Sequence, residues 1–182
     1  MKNKHHTIGR FRLLAFPGLC RMLGGIFVLL ALGACSSIDC PLNNRVYTSY
    51  QLRTPDGSVD TLSNVLMTVS TNRTDGSDSV LINRDTRLTV FSLPISNAQP
   101  RDSFFVELAD AEGAARLSLD TIVVSKDDRM HFESTDCAPS YFHSITAVTT
   151  TRHAVDSVVI NNKTVNYDTS KPHFYIYFAP RP

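Results

Sequence analysis

The sequence predicts an all-β fold: a single β-sandwich domain of the immunoglobulin-like kind, following a cleaved lipoprotein signal peptide. Three observations carry this. Beyond residue 45 the apolar residues recur with period two, not 3.6. Turn residues interrupt the alternation roughly every 8–12 residues, the spacing of sandwiches and barrels, with a barrel as the second choice. No stretch after residue 34 carries an amphipathic helical pattern.

Taken in order, residues 46–52 alternate and read as the first strand. Pro55-Asp56-Gly57 ends it, because proline presets φ and glycine accepts a positive φ. Residues 65–71 alternate again, and Asp75-Gly76 is a hairpin signal. Residues 79–83 and 87–93 read as strands, with Pro94 and Pro100 bracketing a loop. Phe104, Val106 and Leu108 share one face of 103–108, and Asp110-Ala111-Glu112-Gly113 turns. Residues 117–125 and 130–137 read as two strands around a Lys126-Asp127-Asp128 corner. Ala138-Pro139-Ser140 turns into 141–151. Residues 155–160 and 164–167 form a hairpin over Asn161-Asn162-Lys163. The closing segment 173–178 is apolar on both faces. It belongs inside a sheet, since at an edge it would invite pairing with other chains.

The N-terminal segment is of a different kind. Residues 1–21 carry Lys2, Lys4, Arg10, Arg12 and Arg21 and no acid, and 22–34 are apolar. This is a basic region followed by a short apolar one, too short to span a bilayer as a helix. It closes on Leu32-Gly33-Ala34-Cys35. Small residues fit a signal peptidase, and the following thiol is the one that becomes acylated. The expected organisation is a signal at 1–34, a lipid anchor at Cys35 with a tether to residue 40, and a domain over 41–182. All 17 acids but only 13 of the 18 basic residues lie beyond residue 34, a net charge of −4, which speaks against nucleic acid as a partner.

Of the four cysteines, Cys20 leaves with the signal and Cys35 takes the lipid. Cys40 and Cys137 remain, and in an oxidising envelope they are expected to pair. Without CxxC spacing or a nearby His–Cys cluster, zinc is a poor alternative. The densest polar group is His131-Phe132-Glu133-Ser134-Thr135-Asp136-Cys137 with Tyr141-Phe142-His143. A hairpin could bring His131, Glu133 and His143 to one face, a zinc-type set, although cross-strand hydrogen bonding on a polar face is the better explanation of them. No serine sits in a Gly-x-Ser-x-Gly turn. No catalytic residue and no cofactor is expected.

An Asp, a hydroxyl residue and an aliphatic recur at Asp60-Thr61-Leu62, Asp78-Ser79-Val80, Asp120-Thr121-Ile122 and Asp156-Ser157-Val158. The tripeptide resembles the acceptor motif of the general O-glycosylation system of Bacteroides and relatives, which implies Thr61, Ser79, Thr121 and Ser157 as acceptors. The same pattern also arises where Asp ends a turn and a strand begins.

Asp39-Cys40-Pro41-Leu42-Asn43-Asn44, Asp78-Ser79-Val80-Leu81-Ile82-Asn83, the stretch from His131 to His143 and the closing His173-Phe174-Tyr175-Ile176-Tyr177-Phe178 together resemble a group of small Bacteroidales lipoproteins grouped as a domain of unknown function. The resemblance implies a host phylum and a β-rich fold, and no activity. Surface export in that phylum favours acids just after the lipid cysteine. Ser36-Ser37-Ile38-Asp39 matches poorly, so the periplasmic face of the outer membrane is expected. The expected role is a non-enzymatic structural or interaction module of the cell envelope, held by its lipid and possessing a protein partner there. The alternative is a metal- or small-ligand-binding lipoprotein using the His131, Glu133 and His143 face.

Overall fold

Alternating segments become strands where one face can be buried. The computed structural model describes residues 40, 44–73 and 75–180; the signal segment and Cys35 lie outside the described residues. Ten strands form: β1 (Tyr47–Arg53), β2 (Val65–Asn72), β3 (Asp78–Asp85), β4 (Val90–Pro94), β5 (Arg101–Asp110), β6 (Arg116–His131), β7 (Ser140–Thr150), β8 (Val155–Ile160), β9 (Thr164–Val165) and β10 (Phe174–Phe178). Among the described residues there is no helix. The strands make a four-stranded sheet, β4-β1-β10-β8, and a six-stranded one, β3-β2-β5-β6-β7-β9. Pairing is antiparallel except between β1 and β10, the first and last strands, which run parallel.

The core lies between the sheets. Tyr50, Leu52, Phe91, Leu93, Phe174 and Ile176 come from the smaller sheet; Met67, Val69, Phe104, Val106, Ile122, Val124 and Ile145 come from the larger. Each such side chain contributes about 1.5–3 kcal/mol relative to an exposed one. Tyr50 is the hub. Its ring stacks on Phe174 at 4.8 Å and on Phe91 at 5.1 Å, and meets Phe104 edge-on at 6.3 Å across the layers. Its hydroxyl accepts a hydrogen bond from Thr48 Oγ1 at 3.3 Å, and burial pushes its pKa up. The closing strand, expected inside a sheet, is inside one, between β1 and β8. Gly57 and Gly76 sit in their expected turns with φ of 88° and 82°, conformations that cost glycine little.

Two expectations need correcting. Residues 155–160 and 164–167 do not form a hairpin: β8 pairs with β10 in the four-stranded sheet and β9 with β7 in the six-stranded one, because the chain crosses between the sheets at Asn161-Asn162-Lys163. The two strands expected around a Lys126-Asp127-Asp128 corner are one continuous strand of 16 residues. The inward phase of Asp120, Ile122 and Val124 runs on to Lys126. β7 pairs along this length, with a register shift at Ser125/Lys126. A Lys-Asp-Asp triplet favours a turn when all three side chains seek water, but here the lysine finds carboxylates indoors. The strand stops at His131, and 132–139, expected to stay extended as far as Cys137, is a loop.

Cys40 and Cys137 form a disulfide, with Cα atoms 5.4 Å apart and 97 residues between them in sequence. It ties the start of the domain to the loop after β6. Beside it, Asn44 Nδ2 donates to the Ala138 carbonyl at 3.1 Å.

Candidate functional site

The polar centre of the fold is built on neighbouring strands. Asp102 on β5 pairs with Val124 on β6, so Lys126, two residues further along, lies diagonally across on the same face. Asp128 lies directly opposite His143 on β7. The Lys126 ammonium is fully buried. It stands 3.2 Å from Asp128 Oδ1 and 3.4 Å from Asp102 Oδ2, and donates to the Gln99 carbonyl at 2.6 Å. His143 Nδ1 donates to Asp128 Oδ1 at 2.7 Å. Asp102 Oδ1 accepts the Ser96 amide at 3.1 Å, while its Oδ2, though near the ammonium, has no hydrogen-bond partner. Burial raises the Asp102 pKa, against the opposing pull of Lys126 and the Ser96 amide.

A cleft of about 430 Å³ opens over this cluster at one end of the two sheets. Asp102 and Arg45 line it together with His143, Tyr141 and Pro139, and Asn44 and Asn72 add side-chain amides. A site of this size and lining suits a small polar ligand with hydroxyl or amide groups. The cluster offers a histidine held by a carboxylate; Ser96, the serine beside Asp102, has its hydroxyl accepting the Ala98 amide at 3.0 Å.

Two other buried polar groups serve the architecture. His173 is wholly buried. Its Nδ1 accepts the Ser49 amide at 3.0 Å, which leaves Nε2 to donate to the Thr164 carbonyl at 3.1 Å. The neutral ring thereby clips β1 of one sheet to β9 of the other, and burial lowers its pKa. Asp120 accepts from the amides of His153, Ala154 and Val155 at 2.7, 2.8 and 3.0 Å and from Thr151 Oγ1 at 2.9 Å. It holds the turn where the chain crosses from the six-stranded sheet to the four-stranded one. Burial would raise its pKa, but these donors outweigh it and hold the carboxyl below its ordinary value.

The expected metal-type set is divided. His131 Nε2 and Glu133 Oε1 are 3.0 Å apart. His143 is elsewhere. β7 places it opposite Asp128, while His131 is opposite Ser140. An offset of three residues on a strand reverses the face, so His143 points between the sheets and His131 points out, stacked on Phe142 at 4.2 Å. Among the described residues no group of three or more His, Cys, Asp or Glu could hold a metal ion.

The four hydroxyl residues of the repeated tripeptide sit in unlike places. Thr61 is exposed in the irregular segment between β1 and β2. Ser79 and Ser157 are half-buried on β3 and β8, each at the edge of its sheet. Thr121 is half-buried on β6, inside the larger sheet, and its preceding Asp120 is committed to the sheet-crossing turn.

Lys126, Asp102, Asp120 and His173 went unrecognised in the sequence. A signal for two of them existed. Extending Phe104-Val106-Leu108 one step back reaches Asp102, and extending Ile122-Val124 one step forward reaches Lys126. Opposite charges in phase with two adjacent apolar faces point to a buried pair.

A family model described as "Family of unknown function (DUF6452)" matches residues 66–178. No curated protein and no solved structure matches the chain.

Proposed function

The chain belongs to this family of unknown function, DUF6452, and we propose that it is a lipoprotein of the Bacteroidales outer membrane, anchored through Cys35, facing the periplasm and working by contact rather than catalysis. Its two sheets are read as a β-sandwich of the immunoglobulin-like kind. The observation that carries the proposal is the Cys40–Cys137 disulfide. Such bonds persist in oxidising compartments, and this one closes five residues after the candidate lipid cysteine. The non-enzymatic reading is supported by how the buried ionisable groups are used. Lys126 joins two strands and a loop, Asp120 holds a sheet crossing, and His173 clips two sheets.

The test is acyl labelling in the native host. The Cys35→Ala precursor is expected to accumulate unprocessed and to lose label, and normal labelling of that variant would end the proposal. Glycosylation belongs to the same reading, with exposed Thr61 the most accessible acceptor, ahead of Ser79, Thr121 and Ser157. Intact mass of the native protein above that of the lipidated polypeptide by a glycan checks it.

A second reading, a small-ligand-binding lipoprotein, is favoured by the cleft over Asp102 and His143. In that reading the ligand site is this cleft, not the His131 and Glu133 face. Ligand screening by thermal shift, with Asp102→Asn and Tyr141→Ala beside the natural protein, separates the two readings.

A further inference from the structure

We infer that the loop end of the β6–β7 hairpin is a membrane-docking surface, with Phe132 as its inserting side chain and Met130 and Tyr167 at the same end of the hairpin. The inference rests on the lipid anchor proposed above and adds an orientation to it. The starting observation is where exposed apolar residues lie. Val59, Val80, Val90 and Val159 are exposed aliphatics spread over the rest of the domain, and Leu117 and Leu119 line a cleft at the opposite end of β6. Among the described residues the two exposed aromatics are Phe132, 57% exposed, and Tyr167, 41% exposed, and both lie at the hairpin end, with Met130 at 48%.

Tyr167 is held in place. It packs edge-on against Phe142 at 5.1 Å and hydrogen-bonds Ser140 through its hydroxyl. Phe142 in turn stacks on His131, whose neighbour in sequence is Phe132. The charged residues of this loop, Glu133 and Asp136, are both acidic, with Arg129 on the adjoining strand. Attraction to a bilayer would come from apolar and aromatic insertion at the headgroup level, where amphipathic rings settle, rather than from lipid charge.

Chain length says what covers this face. From Cys35 to Cys40 is five residues, at most about 18 Å fully extended. The disulfide then sets Cys137 with its Cα 5.4 Å from that of Cys40. The 132–139 loop is therefore tethered within a few nanometres of the acylated residue, whatever path the tether takes. The opposite end of β6, at Leu117, lies roughly 45 Å further along the strand. An acyl anchor at Cys35 makes the hairpin end the membrane-proximal end, and the exposed aromatics are at that end.

The natural chain contains no tryptophan, so single substitutions make clean fluorescent probes. Full-length lipidated protein carrying Phe132→Trp or Leu117→Trp would be reconstituted in vesicles of phosphatidylethanolamine and phosphatidylglycerol, with and without brominated acyl chains. The expected result is severalfold quenching and a blue shift at position 132, and neither at 117. Equal, unquenched emission from both probes in protein that floats with the vesicles overturns the docking surface and leaves the anchor standing. A blue shift at 132 seen only in native envelopes, without quenching by brominated lipid, assigns the surface to a protein partner and overturns it too. Absence of acyl mass on Cys35 brings down the anchor, and the docking surface with it. Met130→Trp, with the same pair of vesicles, guards against a local effect of replacing Phe132.

Discussion

Asp102 and Asp120 lie on neighbouring strands, face the same way, and are 9% and 1% exposed. Their pKa values move in opposite directions. Both are shielded from water, but Asp102 lies deeper among protein atoms and its carboxyl is raised, while Asp120, nearer the surface, is held below its ordinary value. The difference lies in depth and in donors together. Asp120 collects three backbone amides and a hydroxyl. Asp102 has one amide and an ammonium at 3.4 Å that leaves its second oxygen without a hydrogen bond. Burial sets a cost for charge, and the number of donors aimed at the carboxylate decides whether that cost is met. The fully satisfied end holds the two sheets together. The incompletely satisfied carboxylate lines the cleft over the Lys126 cluster.

Breaking the satisfied end should cost most. Asp120→Ala leaves three backbone amides at a sheet crossing without an acceptor. Each buried donor so orphaned costs about 1–3 kcal/mol, so a loss of about 5 kcal/mol is expected in urea denaturation. A loss below about 1 kcal/mol would mean that the turn at 151–155 re-forms without its anchor, and that the comparison overstates Asp120.

At the other end, Lys126→Met removes the only side-chain cation close to both Asp102 and Asp128 among the contacts described. Stranding buried charge in this way costs about 3–5 kcal/mol. Lys126→Met combined with Asp102→Leu should recover part of the loss, because an apolar pair needs no counter-charge. No recovery in the double variant would show that Lys126 acts mainly through the Gln99 carbonyl.

The disulfide supports the cleft end from outside. Replacing both Cys40 and Cys137 by Ala should cost about 2–5 kcal/mol in the soluble domain. Alkylation of freshly isolated protein without reductant should modify neither cysteine.

The order of these effects was only partly legible in the sequence. Period two made most of the strands readable, and Pro55-Asp56-Gly57 and Asp75-Gly76 turned where turn chemistry requires. The cysteine count was enough to pair Cys40 with Cys137. What failed was long-range register. Whether His131 and His143 share a face depends on the parity of their offset across the β6–β7 pairing, and parity follows from where the loop 132–139 ends. That boundary was misplaced because Glu133 to Cys137 can be written as a strand. Lys126 was misread for a related reason. A lysine reads as solvent-facing until β5 supplies the carboxylate that draws it indoors, and Asp102 is 24 residues away. Local propensity cannot contain that information.

The smallest effect tests the comparison most directly, because it predicts a sign. Asp120, with its folded pKa lowered, contributes stability that is fully present above the unfolded value near about 3.9 and is lost as pH falls through the folded value. Asp102, with its folded pKa raised, contributes stability that is fully present below that unfolded value and is lost as pH rises through the folded value. The measurement is urea denaturation of the natural domain, Asp120→Asn and Asp102→Asn at several values between about pH 3 and pH 7. Subtracting each variant from the natural protein cancels the acid titration common to all three. The Asp120 difference should shrink on acidification, and the Asp102 difference should grow, each by about 1.4 kcal/mol per unit by which the pKa is displaced. Lys126 and Asp128 from β6 and His143 from β7 surround Asp102, so its curve reports the cluster and need not follow a single site. The sign survives that coupling, because burial of the carboxylate is the largest cause of the shift. Two differences that shrink together on acidification would show that Lys126 satisfies Asp102 as fully as the amides satisfy Asp120, and the distinction between the two ends of the molecule would disappear.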